Sequence, residues 1–242
     1  MNIAVIFAGG TGQRMNTKSK PKQFLEIHGK PVLVYTLEKF QDHPEIDGIV
    51  LACLEDWIPY SEDLIRRFGI NKIKSIVPGG KTGQESIFNA LKKVQDLFGD
   101  ENESIVLIHD GVRPLIDSET ISNCIKEVKK HGNAITVAPA IETIFVNETE
   151  SNVVGKIIDR SNCQLAKAPQ CFYFKEIYKA HLRANLEGKA RFIDSADMMQ
   201  YYGYKLFTVK GPAENIKITT PIDFYTFRAI LDAQENYQII GF

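Results

Sequence analysis

Between Ile3 and Val137, short runs of β-branched residues alternate with amphipathic stretches, and this alternation narrows the possible folds more than any other feature. The runs Ile3–Phe7, Gly48–Cys53, Lys72–Val77, Ser104–Ile108 and Ala134–Val137 are rich in Val and Ile and bounded by turn residues, as strands are. Helical spacing fills the gaps at Pro31–Phe40, Glu55–Phe68, Gln84–Leu97 and Ser118–His131. Pro31 suits a first helical position, and Ser118 with Glu119 supplies a cap and a first-turn acid. The pattern predicts an α/β fold: a Rossmann-like, doubly wound, mostly parallel sheet with helices on both faces.

The rhythm changes after Pro139. Two polar-flanked strands, Glu142–Val146 and Val153–Ile158, surround a turn containing Asn147, Ser151 and Asn152. A two-stranded insertion over about residues 139–163 has little core of its own. It reads either as a surface β-arm or as an arm packed on a second subunit. The α/β pattern then returns with helices at Lys175–Leu186 and Asp194–Tyr202, a strand at Lys205–Lys210 and a last helix opening at Pro221. The 242 residues thus form one domain with an arm.

Composition sets outer limits. The 29 Lys and Arg against 30 Asp and Glu leave a net charge of −1, with no electrostatic footprint for a nucleic-acid duplex or an anionic membrane. The apolar run Ile3–Ala8 is too short for a signal or membrane-spanning segment, so a cytoplasmic location is expected. Cys53, Cys124, Cys163 and Cys171 lack zinc spacing and read as incidental or buried thiols.

Any phosphate binding must therefore be local, and the segment after the first strand offers it. Ala8, Gly9, Gly10, Thr11 and Gly12 form a turn able to bring bare backbone N–H groups to phosphate oxygens. It is not a dinucleotide fingerprint, because Met15 stands where a third glycine is needed. Nor is it a P-loop: Thr17 replaces the glycine before Lys18-Ser19, and Ser75 replaces the leading glycine for Gly80-Lys81-Thr82. The loop runs on, irregular and basic through Arg14, Lys18, Lys20 and Lys22, to Pro31; loops of that length are usually functional. Asp110 follows a strand end, where open parallel sheets place their ligands, and His109 beside it reads as structural.

The glycine turn through Arg14-Met15, followed by Pro21-Lys22-Gln23-Phe24, resembles the signature of sugar-nucleotide pyrophosphorylases and related nucleotidyltransferases. Later motifs resemble the branch containing methylerythritol-phosphate and ribitol-phosphate cytidylyltransferases. They are Gly79-Gly80 with Ser86, His109-Asp110-Gly111-Val112-Arg113-Pro114, Asp159-Arg160, Pro169-Gln170 and Glu214-Asn215-Ile216-Lys217-Ile218-Thr219. The match spans nearly the whole chain in order.

The resemblance implies transfer of CMP from CTP to a polyol phosphate, with Mg²⁺ or another divalent cation. Because the attacking group is the acceptor's own phosphate, the protein must hold two polyanions together and neutralise charge. It implies Arg14, Lys22 and Lys217 on the phosphates, the last on a short strand Asn215–Thr219. The backbone of Ala8–Gly12 would cradle the triphosphate, Gly79, Gly80, Lys81 and Ser86 would contact the nucleotide, and Asp110 would serve the metal and the acceptor. Arg113 would meet the acceptor phosphate, and Thr143 and Arg160 would reach the acceptor across a homodimer. Three positions depart from the family pattern: Gly83 where arginine is common, and Ala168 and Ile193 where threonines are usual. Asp56-Trp57 resembles the ribitol branch, although Trp57 is also a plausible packing residue, and Arg191 and Asp194 are further candidate acceptor contacts. Ribitol 5-phosphate, a precursor for capsule or teichoic acid, is the expected acceptor, with 2-C-methyl-D-erythritol 4-phosphate as the alternative. A catalytically silent nucleotide-binding protein is the reading of another class.

Overall fold

A computed structural model of the chain describes residues 1–10, 20–99, 103–148, 152–189 and 191–240, with side chains described to 236. Seven strands form one sheet: β1 (Asn2–Ala8), β4 (Gly48–Cys53), β5 (Ile73–Pro78), β6 (Ile105–Asp110), β7 (Asn133–Pro139), β10 (Gln164–Tyr173) and β11 (Thr208–Lys210). Their order is β11-β7-β10-β6-β1-β4-β5, parallel throughout except for β10, which runs antiparallel to both neighbours. The chain winds outward from β1 through β4 to β5, then returns to place β6 on the other side of β1. The winding direction therefore reverses between β1 and β6, and ligands of open sheets bind at the carboxyl ends of such a pair.

Both faces of the sheet are covered, which explains the unbroken apolar runs. On one face Ala4, Ile6 and Ala8 of β1 join Leu33, Leu37 and Phe40 of α1 (Val32–Gln41), Leu64 of α2 (Ile58–Arg67), and Ile121, Ile125 and Val128 of α4 (Ser118–His131). On the other, Ile3 and Val5 pack with Ile87, Leu91 and Val94 of α3 (Gly83–Phe98), Ile177 of α5 (Phe174–Leu186) and Met198 and Met199 of α6 (Ser195–Tyr201). A smaller cluster of Ile27, Val32, Val112, Ile218 and Phe227 seats α7 (Pro221–Ile240).

Several expected boundaries shift for local reasons. Pro31 is the extended residue before α1 rather than its first turn. Asp117, not Ser118, caps α4, its side chain accepting from Thr120 N at 2.7 Å. The stretch before α1 is less irregular than expected: a 3-10 turn at Lys22–Phe24 and a small ladder of β2 (Glu26–Ile27) with β3 (Lys30–Pro31) order it. The sequence pattern does not mark β10 as a strand because Pro169 lies within it. The ladder with β7 shifts register between Ala166 and Gln170, and this irregularity accommodates the proline. Segment 214–219 is not a strand; its outward backbone bond, Ile218 N to Val112 O at 2.9 Å, builds no ladder.

The arm is β8 (Ile144–Asn147) paired antiparallel with β9 (Val154–Ile158). Phe145 and Ile157 on it remain 54% and 63% exposed, more apolar surface than an isolated hairpin normally offers to water.

Candidate active site

Two concave lobes open at the carboxyl ends of the strands and share Phe7, Thr82, Gly83, Asp110 and Lys217 as walls. The smaller lobe, about 400 Å³, is lined by Ala8, Gly9, Gly10, Lys22, Gly80, Lys81 and Ser86 among others. The larger, about 610 Å³, is reached by Arg113, Lys167, Ala168, Gln170, Arg191 and Asp194.

The smaller lobe is built by close backbone approach. A Cβ on Gly9 would stand 2.9 Å from Ser86 Oγ, and one on Gly80 2.2 Å from Glu85 Cβ, so neither position has room for a side chain. Ser86 ties the turns together: its hydroxyl accepts from Gly80 N at 3.0 Å and donates to Thr82 O at 2.9 Å. Thr82 in turn caps α3 through Glu85 N at 3.1 Å. Gly79 N donates to Cys53 O at 2.7 Å, fastening the second turn to β4. Lys22 enters from the 3-10 turn, which Gln23 anchors by donating Nε2 to Ala8 O at 2.6 Å. Phe24, buried beside it, stacks on Trp57 at 4.8 Å, so Trp57 is a packing residue here. Lys20 turns instead to Glu26, 3.0 Å away. Thr11, Gly12, Arg14 and Lys18 lie outside the described residues.

Asp110, 6% exposed, is the electrostatic centre where the lobes meet. Its Oδ2 accepts from Arg113 Nε at 2.8 Å, and its Oδ1 stands 2.5 Å from Lys217 Nζ. Burial pushes the carboxyl pKa up, but Lys217 and Arg113 outweigh it and hold it below the ordinary carboxylate value. Lys217 is thus no stray surface charge. Its segment is pinned at 219–220, where Thr219 N and Thr220 N donate to Asp223 Oδ2 at 2.9 and 2.7 Å. Arg113 also donates Nη1 to Asn215 O at 2.8 Å, which joins the β6 loop to that segment. Asn215 is itself fully buried and donates Nδ2 to Ala168 O at 2.7 Å.

His109 is structural, as expected from sequence. It is wholly buried against Phe40 and shares a 3.0 Å hydrogen bond between Nε2 and Arg113 O. Burial lowers its pKa to about 4, and that of His181, stacked on Phe88, likewise to about 4. Each ring stays neutral in the fold until about pH 4 but takes up a proton below about 6.5 once unfolded. The stability due to their neutral burial is therefore complete above pH 6.5 and declines as the pH falls toward 4. Urea midpoints are expected to drop over that window, and His181→Phe, which keeps the ring packing, to drop less. Equal pH slopes for the variant and the parent would exclude His181 from the effect.

Gly83, the departure in the nucleotide motif, opens α3 and lines both lobes; a Cβ there would lie 3.8 Å from Phe7 Cε2, an ordinary contact. Thr143 and Arg160 line neither lobe of their own chain, and Arg160 Nη1 donates to Ile141 O at 2.7 Å. Lys167, Thr82 and Phe7 line the lobes without a mark of their own in the sequence: Lys167 sits in β10, whose pattern a proline interrupts, and Phe7 has the character of an ordinary strand terminus. Among the described residues no cluster of three His, Cys, Asp or Glu side chains forms a metal cage. Asp110, the carboxylate shared by the two lobes, already holds Arg113 and Lys217 on its two oxygens, so an ion there would take most of its ligands from phosphate oxygens. No helix among the described residues is long and apolar enough to cross a membrane.

A model of the 2-C-methyl-D-erythritol 4-phosphate cytidylyltransferase family (IspD) matches residues 2–233. The chain is 52% identical over 241 residues to a ribitol-5-phosphate cytidylyltransferase from Vibrio parahaemolyticus, covering 100% of both chains. It is 40% identical to a 2-C-methyl-D-erythritol 4-phosphate cytidylyltransferase from Clostridium acetobutylicum, over 96% of this chain and 97% of that one. Among solved structures it resembles 4-diphosphocytidyl-2C-methyl-D-erythritol synthase from Anaerococcus prevotii, with a TM-score of 0.81, 27% identity and 96% of each chain covered. With its glycine-lined lobe joined to a cationic one at Asp110, the chain belongs to the IspD family of cytidylyltransferases, enzymes that transfer a nucleotidyl group.

Proposed function

We propose that the enzyme transfers CMP from CTP to ribitol 5-phosphate, giving CDP-ribitol and pyrophosphate. The observation that carries this reading is the meeting of a backbone-lined lobe and a cation-rich lobe at Asp110 and Lys217. Such an arrangement suits two phosphorylated substrates reacting end to end. The preference for ribitol rests on the relative at 52% identity, which bears that name, against 40% for one named for methylerythritol. A cell-surface polysaccharide precursor is the corresponding product.

In this reading the glycine-rich segment 8–12 binds the triphosphate, with Lys22 and Arg14 on its oxygens. The cytosine rests against Gly79, Gly80 and Ser86, where backbone groups of the second glycine turn would read its edge. An oxygen of the acceptor phosphate attacks the α-phosphorus in line, and the bond from that phosphorus to the bridging oxygen of the β-phosphate breaks, so pyrophosphate departs with the electron pair. No side chain acts as nucleophile or base, since the attacking oxygen is already ionised. Lys217, placed at the junction by Asp110, neutralises charge on the phosphorus being transferred. Asp110 is the residue that would hold a divalent cation bound to the CTP phosphates, and such an ion would supply further charge neutralisation. The exposed apolar arm residues support a homodimer in which Thr143 and Arg160 complete the partner subunit's acceptor lobe.

The test is pyrophosphate release with CTP, ATP, GTP and UTP, each paired with ribitol 5-phosphate or 2-C-methyl-D-erythritol 4-phosphate. CTP with ribitol 5-phosphate is expected to give the highest kcat/KM, and EDTA to abolish turnover until Mg²⁺ is restored. A higher kcat/KM with the methylerythritol substrate would move the enzyme to the other branch. Binding of CTP without release of pyrophosphate from any pair would make it a silent nucleotide-binding protein.

A further inference from the structure

We propose that Lys167 is an acceptor-phosphate ligand of this enzyme and sets the affinity of the larger lobe for the phosphorylated polyol. Lys167 lines that lobe from β10, and its Nζ donates to Ala213 O at 3.0 Å and Asn215 O at 3.3 Å. Two of its three N–H donors are thus spent on backbone carbonyls, which fixes the ammonium in place and leaves the third donor for a ligand. The second carbonyl is the one that also accepts from Arg113 Nη1 at 2.8 Å, so both cations converge on a single oxygen. Arg113 continues to Asp110, and Asp110 to Lys217, giving one unbroken array from the lobe junction into the larger lobe. Glu214 acts on Lys167 through its charge, but burial and the neighbouring Arg113 outweigh it and hold the lysine pKa below its ordinary value.

The charge count favours a dianion. Arg113, Lys167, Arg191 and Lys217 line the larger lobe against two carboxylates, Asp110 and Asp194. Asp194 is committed elsewhere, accepting from Gln170 Nε2 at 2.8 Å and capping α6 through Asp197 N at 2.9 Å. The lobe therefore carries two positive charges in excess, the complement of a phosphate monoester near neutral pH. Lys217 borders both lobes, whereas Lys167 borders the larger one alone. Its loss should accordingly be felt by the acceptor and not by CTP.

The proposal rests on the reading of the larger lobe as the acceptor site, and the experiment separates the two. Lys167→Gln is expected to raise KM for ribitol 5-phosphate at least about tenfold, the loss of one charge-assisted hydrogen bond, with KM for CTP within about twofold of the parent. Lys167→Arg should restore most of the difference. A purely structural lysine, bracing the segment that carries Lys217, would instead lower kcat and raise KM for CTP as well. That outcome, or an unchanged acceptor KM, overturns the proposal. If the parent prefers 2-C-methyl-D-erythritol 4-phosphate, the same split is expected with that substrate, because it presents the same dianion. If no acceptor supports turnover, calorimetric binding of ribitol 5-phosphate decides: equal affinities for the parent and Lys167→Gln refute the role of Lys167.

Discussion

Replacing Asp110 by alanine is expected to lower kcat at least about a hundredfold. The carboxylate holds Lys217 at 2.5 Å and Arg113 at 2.8 Å on its two oxygens, and both cations reach the larger lobe. Without it, two positive groups face each other across the junction with no counter-charge, and their mutual repulsion drives the lysine from its place between the lobes. Asp110→Asn tests charge apart from shape. The amide oxygen can still accept from one cation, but its NH₂ faces the other, so the array is broken on one side and most of the loss should persist. Pyrophosphate release measures the effect, and circular dichroism with a melting curve shows whether the fold survives. A well-folded Asp110→Ala enzyme with near-parental kcat would remove the residue from catalysis.

How much of this centre is legible without coordinates depends on whether a residue's partners are near in sequence. Strands β1, β4 and β6 are readable because helices cover both faces, leaving continuous apolar runs with turn residues at their ends. Once β1 and β6 are recognised, the ligand position follows from topology, and with it Gly9 and Asp110. Lys217 has no such local signal. Its importance comes from an aspartate more than a hundred positions away, and from a segment held by Asp223 rather than by a ladder. Strand β10 is hidden for the opposite reason: a proline inside it mimics a boundary, although the register shift beside Ala166 absorbs the irregularity. Lys167 disappears with that strand, since a lysine two residues before a proline in an unassigned stretch carries no functional mark. Gly83 reads as a loss where the family has arginine, yet it opens α3 between the lobes with room for a side chain. Thr143 and Arg160 point to no site within one chain, and only the resemblance gives them a role.

That role yields the second large effect. Lys22→Ala and Arg160→Ala are each expected to reduce turnover at least about a hundredfold alone, and to recover activity when the two proteins are mixed. Lys22 lies in the smaller lobe on a turn fixed by Gln23 and Phe24, so its loss disables the nucleotide site of its own subunit. Arg160 closes the arm and leaves that lobe intact; in the proposed dimer its loss would disable the acceptor lobe of the partner. A mixed dimer then holds one site with neither defect: the nucleotide lobe of the Arg160→Ala chain completed by the arm of the Lys22→Ala chain. With random exchange half of the dimers are mixed and half of their sites work, so recovery should approach about a quarter of the parental rate. The exposed Phe145 and Ile157 are consistent with the proposed dimer, because contiguous exposed apolar surface marks interaction sites. Sedimentation of the parent should accordingly give a dimer. A monomer with full activity, or a mixture that stays inactive although its subunits exchange, would confine Arg160 to its own chain, where its contact with Ile141 O merely closes the base of the arm.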